Sequence, residues 1–220
     1  MYELALLKLK ELPLFSLADV TQIVSGKAYA KKVVKKMVAR GEIRKIRRNT
    51  YTFHDDPFLM STFLFKPSYL SSASALSYHQ LISQIPTEFF CFSPKARKTA
   101  GAINVYPTPY FWGFEEQPYQ GFSIPIATPE KALIDSWGII PVSIFEEAVP
   151  EINVKQMKEY LKKIKKSSVL KRMGYLLERN GFEIYSHLKE KINNRYIFFD
   201  PLAKKKGPKN KKWKLIVNVP

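Results

Sequence analysis

The residues best placed to do chemistry in this 220-residue chain are cations. Between Lys27 and Arg48 stand ten basic side chains, Lys27, Lys31, Lys32, Lys35, Lys36, Arg40, Arg44, Lys45, Arg47 and Arg48, against one acid, Glu42. Tyr29 sits among them. Ammonium and guanidinium groups at this density neutralise phosphates and release the counterions condensed on nucleic acid. A second run, Lys204, Lys205, Lys206, Lys209, Lys211 and Lys212, reads as a second anion-binding surface.

Other chemistries find no constellation. His54, His79 and His187 lack metal-ligand spacing, and Cys91 is the one cysteine. The reading is therefore no metal, no cofactor and no disulfide framework. Asp55 and Asp56 are adjacent, which suits a loop better than a paired acid site. No Asp-x-Asp, Glu-x-Lys or Asp-x-Lys occurs, nor a Gly-x-x-x-x-Gly-Lys phosphate loop. His79 and Cys91 read as structural residues. A binding protein is expected, not an enzyme.

Charge sharpens the expectation. The net charge is +17 and the pI about 9.8. It is uneven: residues 1–60 carry +6, residues 61–150 carry −2, and residues 151–220 carry +13. A generic lysine-rich surface would not leave the middle slightly acidic, so the two ends should meet polyanions. An aromatic fraction of 14% speaks against disorder. No apolar run is long enough for a membrane span, and no secretory leader shows. A cytoplasmic home is expected.

These cations must be positioned by local elements. Leu4, Leu7 and Leu12 predict a helix over residues 2–12, stopped by Pro13. Phe15-Ser16 predicts a hydrophobic residue and an N-cap, with Asp19 at the positive end of the next helix. Ser25-Gly26 reads as a turn. Ala30, Val33, Val34, Met37 and Val38 form an apolar stripe over a helix at 28–40, with lysines on the other face. Gly41 should end it. Strands follow at 43–47 and 50–53 about an Arg48-Asn49 turn. Three helices and a basic hairpin is the order of a winged helix-turn-helix, in which a helix enters the major groove and the hairpin reaches the backbone or minor groove.

Further on, helices are expected at 58–65 and 71–82, the latter capped by Ser71-Ser72. Strands are expected at 88–92, 103–106 and 122–126, the last at an edge or bulge because of Pro125. Thr128-Pro129-Glu130 should open a helix with Ala132, Leu133, Ile134 and Trp137 inward. The last third predicts helices at 154–164, 169–179 (capped by Ser167-Ser168 and closed by Asn180-Gly181) and 184–192, with strands at 196–200 and 213–219. The fold class is α+β: a winged helix-turn-helix over 1–60, then a larger α+β domain over 61–220 with a sub-boundary near 150.

Four stretches bear a family resemblance. Ser71 to Leu81, Ser-Ser-Ala-Ser-Ala-Leu-Ser-Tyr-His-Gln-Leu, resembles a Ser-Ala-Leu…His-Gly-Leu helix, with Gln80 in the glycine's place. Ile126 to Asp135 resembles Ala-x-x-Glu-Lys-Ala-Leu-x-Asp. Arg172 to Glu178 resembles Arg-x-Gly-Tyr-Leu-Leu-Glu, and Asn210 to Leu215 resembles Asn-x-x-Trp-x-Leu. Together they resemble the AbiEi family of type IV antitoxins and transcriptional regulators. The resemblance implies a protein that binds inverted repeats at its own promoter and opposes a nucleotidyltransferase-like toxin without necessarily touching it; a homodimer on a palindrome is the usual geometry for such DNA binding. A solitary winged-helix regulator and an RNA-interacting module using the basic last third are the alternative readings.

Overall fold

The structure, a computed structural model, describes residues 6–24, 26–95 and 97–219. It mixes helix and strand in the α+β manner and divides into two compact units, 1–67 with 118–124, and 68–117 with 125–220. The division expected after residue 60 falls inside a helix, Pro57–Leu64, that belongs to the first unit. The second unit runs on through residue 150.

In the first unit, Leu6 and Leu7 are helical and the chain tightens to a 3-10 turn at Lys8–Glu11. The start of the expected 2–12 helix, and Ser25 of the expected turn, lie outside the described residues. Strand β1 (Phe15–Ser16) leads into helix α1 (Leu17–Ile23). Ser16 closes a capping box: its Oγ accepts from Ala18 N and Asp19 N, and its own N–H donates to Asp19 Oδ2 at 2.6 Å. Helix α2 (Lys27–Ala39) follows. Gly41 adopts φ 70°, while Gly41 N donates to Val38 O and Glu42 N to Met37 O, the two bonds of a Schellman closure. Strands β2 (Arg44–Arg47) and β3 (Thr50–Thr52) form the hairpin, with Asn49 left-handed at φ 57° in its turn. β1 pairs antiparallel with β3, Phe15 facing Tyr51, so the sheet order is β1-β3-β2. Phe15, Val20, Ala30, Val34 and Ile43 fill the core beneath. Thr52 Oγ1 donates to Pro13 O, tying the hairpin to the strand ahead of it.

Helix α3 (Pro57–Leu64) completes this unit. Asp56 caps it, accepting from Phe58 N at 2.8 Å, and its other oxygen accepts from Tyr119 Oη. Asp55 pairs with Arg44 at 2.7 Å. The neighbouring acids thus act apart, as anchors.

The second unit is built on a six-stranded mixed sheet. Its strands are β4 (Tyr69–Leu70), β5 (Phe89–Ser93), β6 (Lys98–Ala100), β7 (Ile103–Pro107), β8 (Phe114–Tyr119) and β9 (Phe122–Ala127), in the order β6-β7-β5-β4-β9-β8. The end of β8 and the start of β9 belong to the first unit. Of the edge or bulge expected at Pro125, the edge is excluded, since β9 lies between β4 and β8. Its two-residue neighbour pairs with it at Leu70↔Ile126, so the proline interrupts little of a ladder. The edge on this side is β8, whose Glu115, Glu116 and Pro118 discourage further pairing and break the apolar alternation that marks a strand.

Helices α4 (Ser72–Tyr78) and α5 (Pro129–Ser136) pack together beside the sheet. α4 ends short of the expected 82. Gln80 takes φ 60°, Gln80 N donates to Ser77 O and Leu81 N to Leu76 O, another Schellman closure. Ser71 does not cap α4; its Oγ donates to Asp135 Oδ2. Then come α6 (Val142–Phe145), α7 (Val154–Lys163), α8 (Ser167–Arg179) and α9 (Tyr185–Leu188), with 3-10 turns at Glu146–Glu151 and Lys189–Lys191. The expected serine cap of α8 is likewise absent: its N-cap is Lys166, and Ser167 Oγ accepts from Asn193 N. The expected last strands shrink to β10 (Ile197–Phe198) and β12 (Leu215–Ile216), parallel to one another, with β11 (Lys209–Asn210) antiparallel to β12.

Candidate nucleic-acid interface

Helix α2 presents its cations because its opposite side is committed to the core. Ala30 and Val34 are buried and Val33 and Met37 half-buried, leaving Lys27, Lys31, Lys32, Lys35 and Lys36 exposed. Val38, expected in the buried stripe, is exposed. It lines a groove of about 350 Å³ between α2 and the hairpin, with Lys31, Lys35, Lys45, Asn49 and Tyr51. Lys31 and Lys35 are one turn apart on one face, and Lys45 meets them from the adjoining sheet. Three ammonium groups therefore edge one groove with an apolar floor.

The remaining expected cations are not all in that groove. Tyr29 and Lys36 line a hollow on the other flank of α2, with Arg40 and Leu6. Arg44 turns away: its Nε pairs with Asp55 and its Nη2 donates to His54 O at 3.3 Å. Arg47 Nε donates to Thr50 Oγ1, and its guanidinium lies 5.5 Å from the Phe65 ring centre. A bulge between Lys45 and Arg47 separates their directions. Arg48 is exposed at the tip beside Asn49. Asn49 was not expected to contribute, because it nears Lys31 and Lys35 only once the hairpin folds against α2; Val38, a neighbour of Lys35 on the helix itself, was expected in the core.

In the second unit, Lys204, Lys205, Lys206, Lys209, Lys211 and Lys212 are all exposed. Two are partly committed: Lys212 pairs with Glu178 at 2.6 Å, and Lys209 lies 5.3 Å from the Tyr196 ring centre.

Several buried polar residues of this unit bind one another. Lys131 is fully buried and pairs with Asp135. Its Nζ also donates to Tyr69 Oη at 2.7 Å; Tyr69 Oη in turn donates to Asp135 Oδ2 at 2.9 Å. Burial first, and then the Asp135 charge, hold the Tyr69 phenol far above its ordinary range. Burial pulls the Lys131 ammonium down while Asp135 pushes the other way. Lys171 is also pulled down, by burial first and then by Lys214 and Arg195. Its Nζ donates to Asn193 Oδ1 and to Arg195 O. Both lysines are tethered inside the fold. His79 Nε2 lies 2.9 Å from Ala127 O, and Cys91 is buried. Among the described residues no three of His, Cys, Asp and Glu gather as a metal site would require.

No family model matches the chain. No curated protein matches it significantly. Among solved structures it is similar to the RV2827C protein from Mycobacterium tuberculosis, with a TM-score of 0.67 over 96% of this chain and 89% of that one, at 15% identity. At that identity the likeness is one of fold. Among the described residues no helix is long and apolar enough to cross a membrane.

Proposed function

We propose that the first unit is a winged helix-turn-helix, that α2 is its recognition helix, and that the chain is a transcriptional regulator binding double-stranded DNA. The observation that carries this reading is the groove where Lys31 and Lys35 of α2 face Lys45 of the hairpin. The strand order supports it, because a short strand ahead of α1 completes the hairpin's sheet and stiffens the wing against the helices. A helix of this diameter enters the major groove while flanking lysines meet phosphates on each side. Lysines position more than they specify, so Asn49, Tyr29 and the outward end of α2 are the groups for base contact. The residues that bear a family resemblance extend the proposal: a regulator of its own operon, dimeric on inverted repeats, that opposes a nucleotidyltransferase-like toxin.

The test is a fluorescence-anisotropy titration of the full chain against duplex DNA from upstream of its own reading frame, at several salt concentrations. With about six phosphates neutralised, log affinity should fall with log salt at a slope of about −5. Lys45→Ala should lower that slope by about one, whereas Arg44→Ala, already paired with Asp55, should leave it nearly unchanged. A flat salt dependence, or equal loss in both variants, counts against this interface.

A further inference from the structure

Unpaired bases bind proteins by stacking on aromatic faces while cations hold the phosphates between them. The second unit assembles these parts from distant stretches of sequence. A cleft of about 450 Å³ opens at the carboxyl end of β7, where Tyr106, Tyr110 and Trp137 stand with Arg97 and Lys166. The three rings are half-buried and both cations exposed. The exposed Arg97 guanidinium lies 4.7 Å from the Tyr106 ring centre. Lys165 N donates to Tyr110 Oη at 3.2 Å, which fixes that ring at the rim.

From Tyr110 the aromatic row continues. Trp112 lies 6.2 Å away, and Tyr160 lies 4.9 Å from Trp112. Lys163 Nζ sits 5.3 Å from the Trp112 ring centre and 5.7 Å from that of Tyr160. Trp112 is braced from behind, since the buried Lys131 Nζ lies 5.3 Å from its ring centre. Asp135 borders the cleft too, but its carboxylate is spent on Lys131, Tyr69 and Ser71. These rings are half-buried, unlike a core, and Arg97, Lys163 and Lys166 stand in solvent.

We infer that this cleft and its row of rings bind an unpaired stretch of nucleic acid. Bases stack on Tyr110 and Trp112, and Arg97, held over Tyr106, meets the phosphates with Lys163 and Lys166. The site is independent of the groove on α2, so either can fail without the other.

The full chain is titrated with octamers of uridylate and of thymidylate, and with a duplex, following tryptophan fluorescence and the anisotropy of labelled strands. Either octamer should quench the fluorescence, through Trp112 and Trp137. Lys163→Ala with Lys166→Ala should weaken octamer binding about tenfold, with duplex affinity and melting temperature unchanged. Lys31→Ala with Lys35→Ala should do the reverse. Tyr110→Ala should weaken octamer binding as well. Absence of octamer binding by the unaltered chain overturns the inference. So does unchanged octamer affinity in the 163/166 variant, or a loss that instead follows removal of Lys204, Lys205 and Lys206.

Discussion

Tyr69, Lys131 and Asp135 show how a buried polar cluster can set the stability of a protein. Lys131 cannot be left unpaired in the interior, because an uncompensated buried charge costs several kcal/mol, on the order of 3–5. Asp135 supplies the counter-charge, and Tyr69 joins them by donating to one and accepting from the other. The folded chain holds the Tyr69 proton well past the point where the unfolded chain, with its phenol near pH 10, has released it. That extra affinity contributes its full stabilisation below pH 10, and the contribution is lost as pH rises above it. Urea midpoints measured from pH 9 upward should fall for the unaltered chain. Tyr69→Phe should be less stable at pH 9 yet show a shallower fall above pH 10. A parallel fall in both would remove Tyr69 from the account. The arginines teach the same lesson at the surface. Arg44 and Arg47 have the right charge for phosphate, but Asp55 and Thr50 occupy them. Their chemistry was legible in the sequence; their availability was not.

At the scale of elements, helix ends separate what is local from what is not. α1 opens, and α2 and α8 close, as expected, because Ser16 with Asp19, Gly41, and Asn180 with Gly181 complete those caps within a few residues. α4 closes by the same Schellman geometry but with Gln80 at the left-handed position, where a glycine stands in the pattern it resembles. A side chain there crowds the following carbonyl by roughly 1–2 kcal/mol. Gln80→Gly should therefore stabilise the chain by about 1 kcal/mol and raise its melting temperature by about 2–4 °C. A lower melting temperature would mean that the Gln80 side chain is worth more than its strain. The serines ahead of α4 and α8 have the right type and place for caps. Ser71 and Ser167 instead serve Asp135 and Asn193, partners 64 and 26 residues away.

At the scale of the molecule, two of the resembling stretches prove to be one contact within the second unit. Gly174 of α8 lies against the buried Trp213 near the carboxyl end, where a Cβ would stand 2.1 Å from the indole. Trp213 Nε1 donates to Glu178 Oε2 at 2.7 Å, one turn further along α8. Gly174→Ala should cost about 3 kcal/mol through overpacking, measurable by urea denaturation. Combined with Trp213→Leu, it should cost less than the sum of the two single changes, because the clash is gone. Additivity would show that Gly174 is retained for another reason. Charge is organised at this scale too. The middle third, acidic as a stretch of sequence, contributes the aromatic wall of a cleft whose cations come partly from residues 163–166.

By itself the sequence determined the basic character of α2 and the hairpin, the periodicity that turns those lysines outward, and the caps completed within one turn. All of these depend on neighbours a few residues apart, so they can be read along the chain. The tertiary structure decided which cations stay available, where Ser71 and Ser167 send their hydroxyls, how Lys131 survives in the interior, and which rings share a cleft. Each of those outcomes turns on a partner brought near by folding, and the energy of a polar group depends on that partner and on the water it has lost.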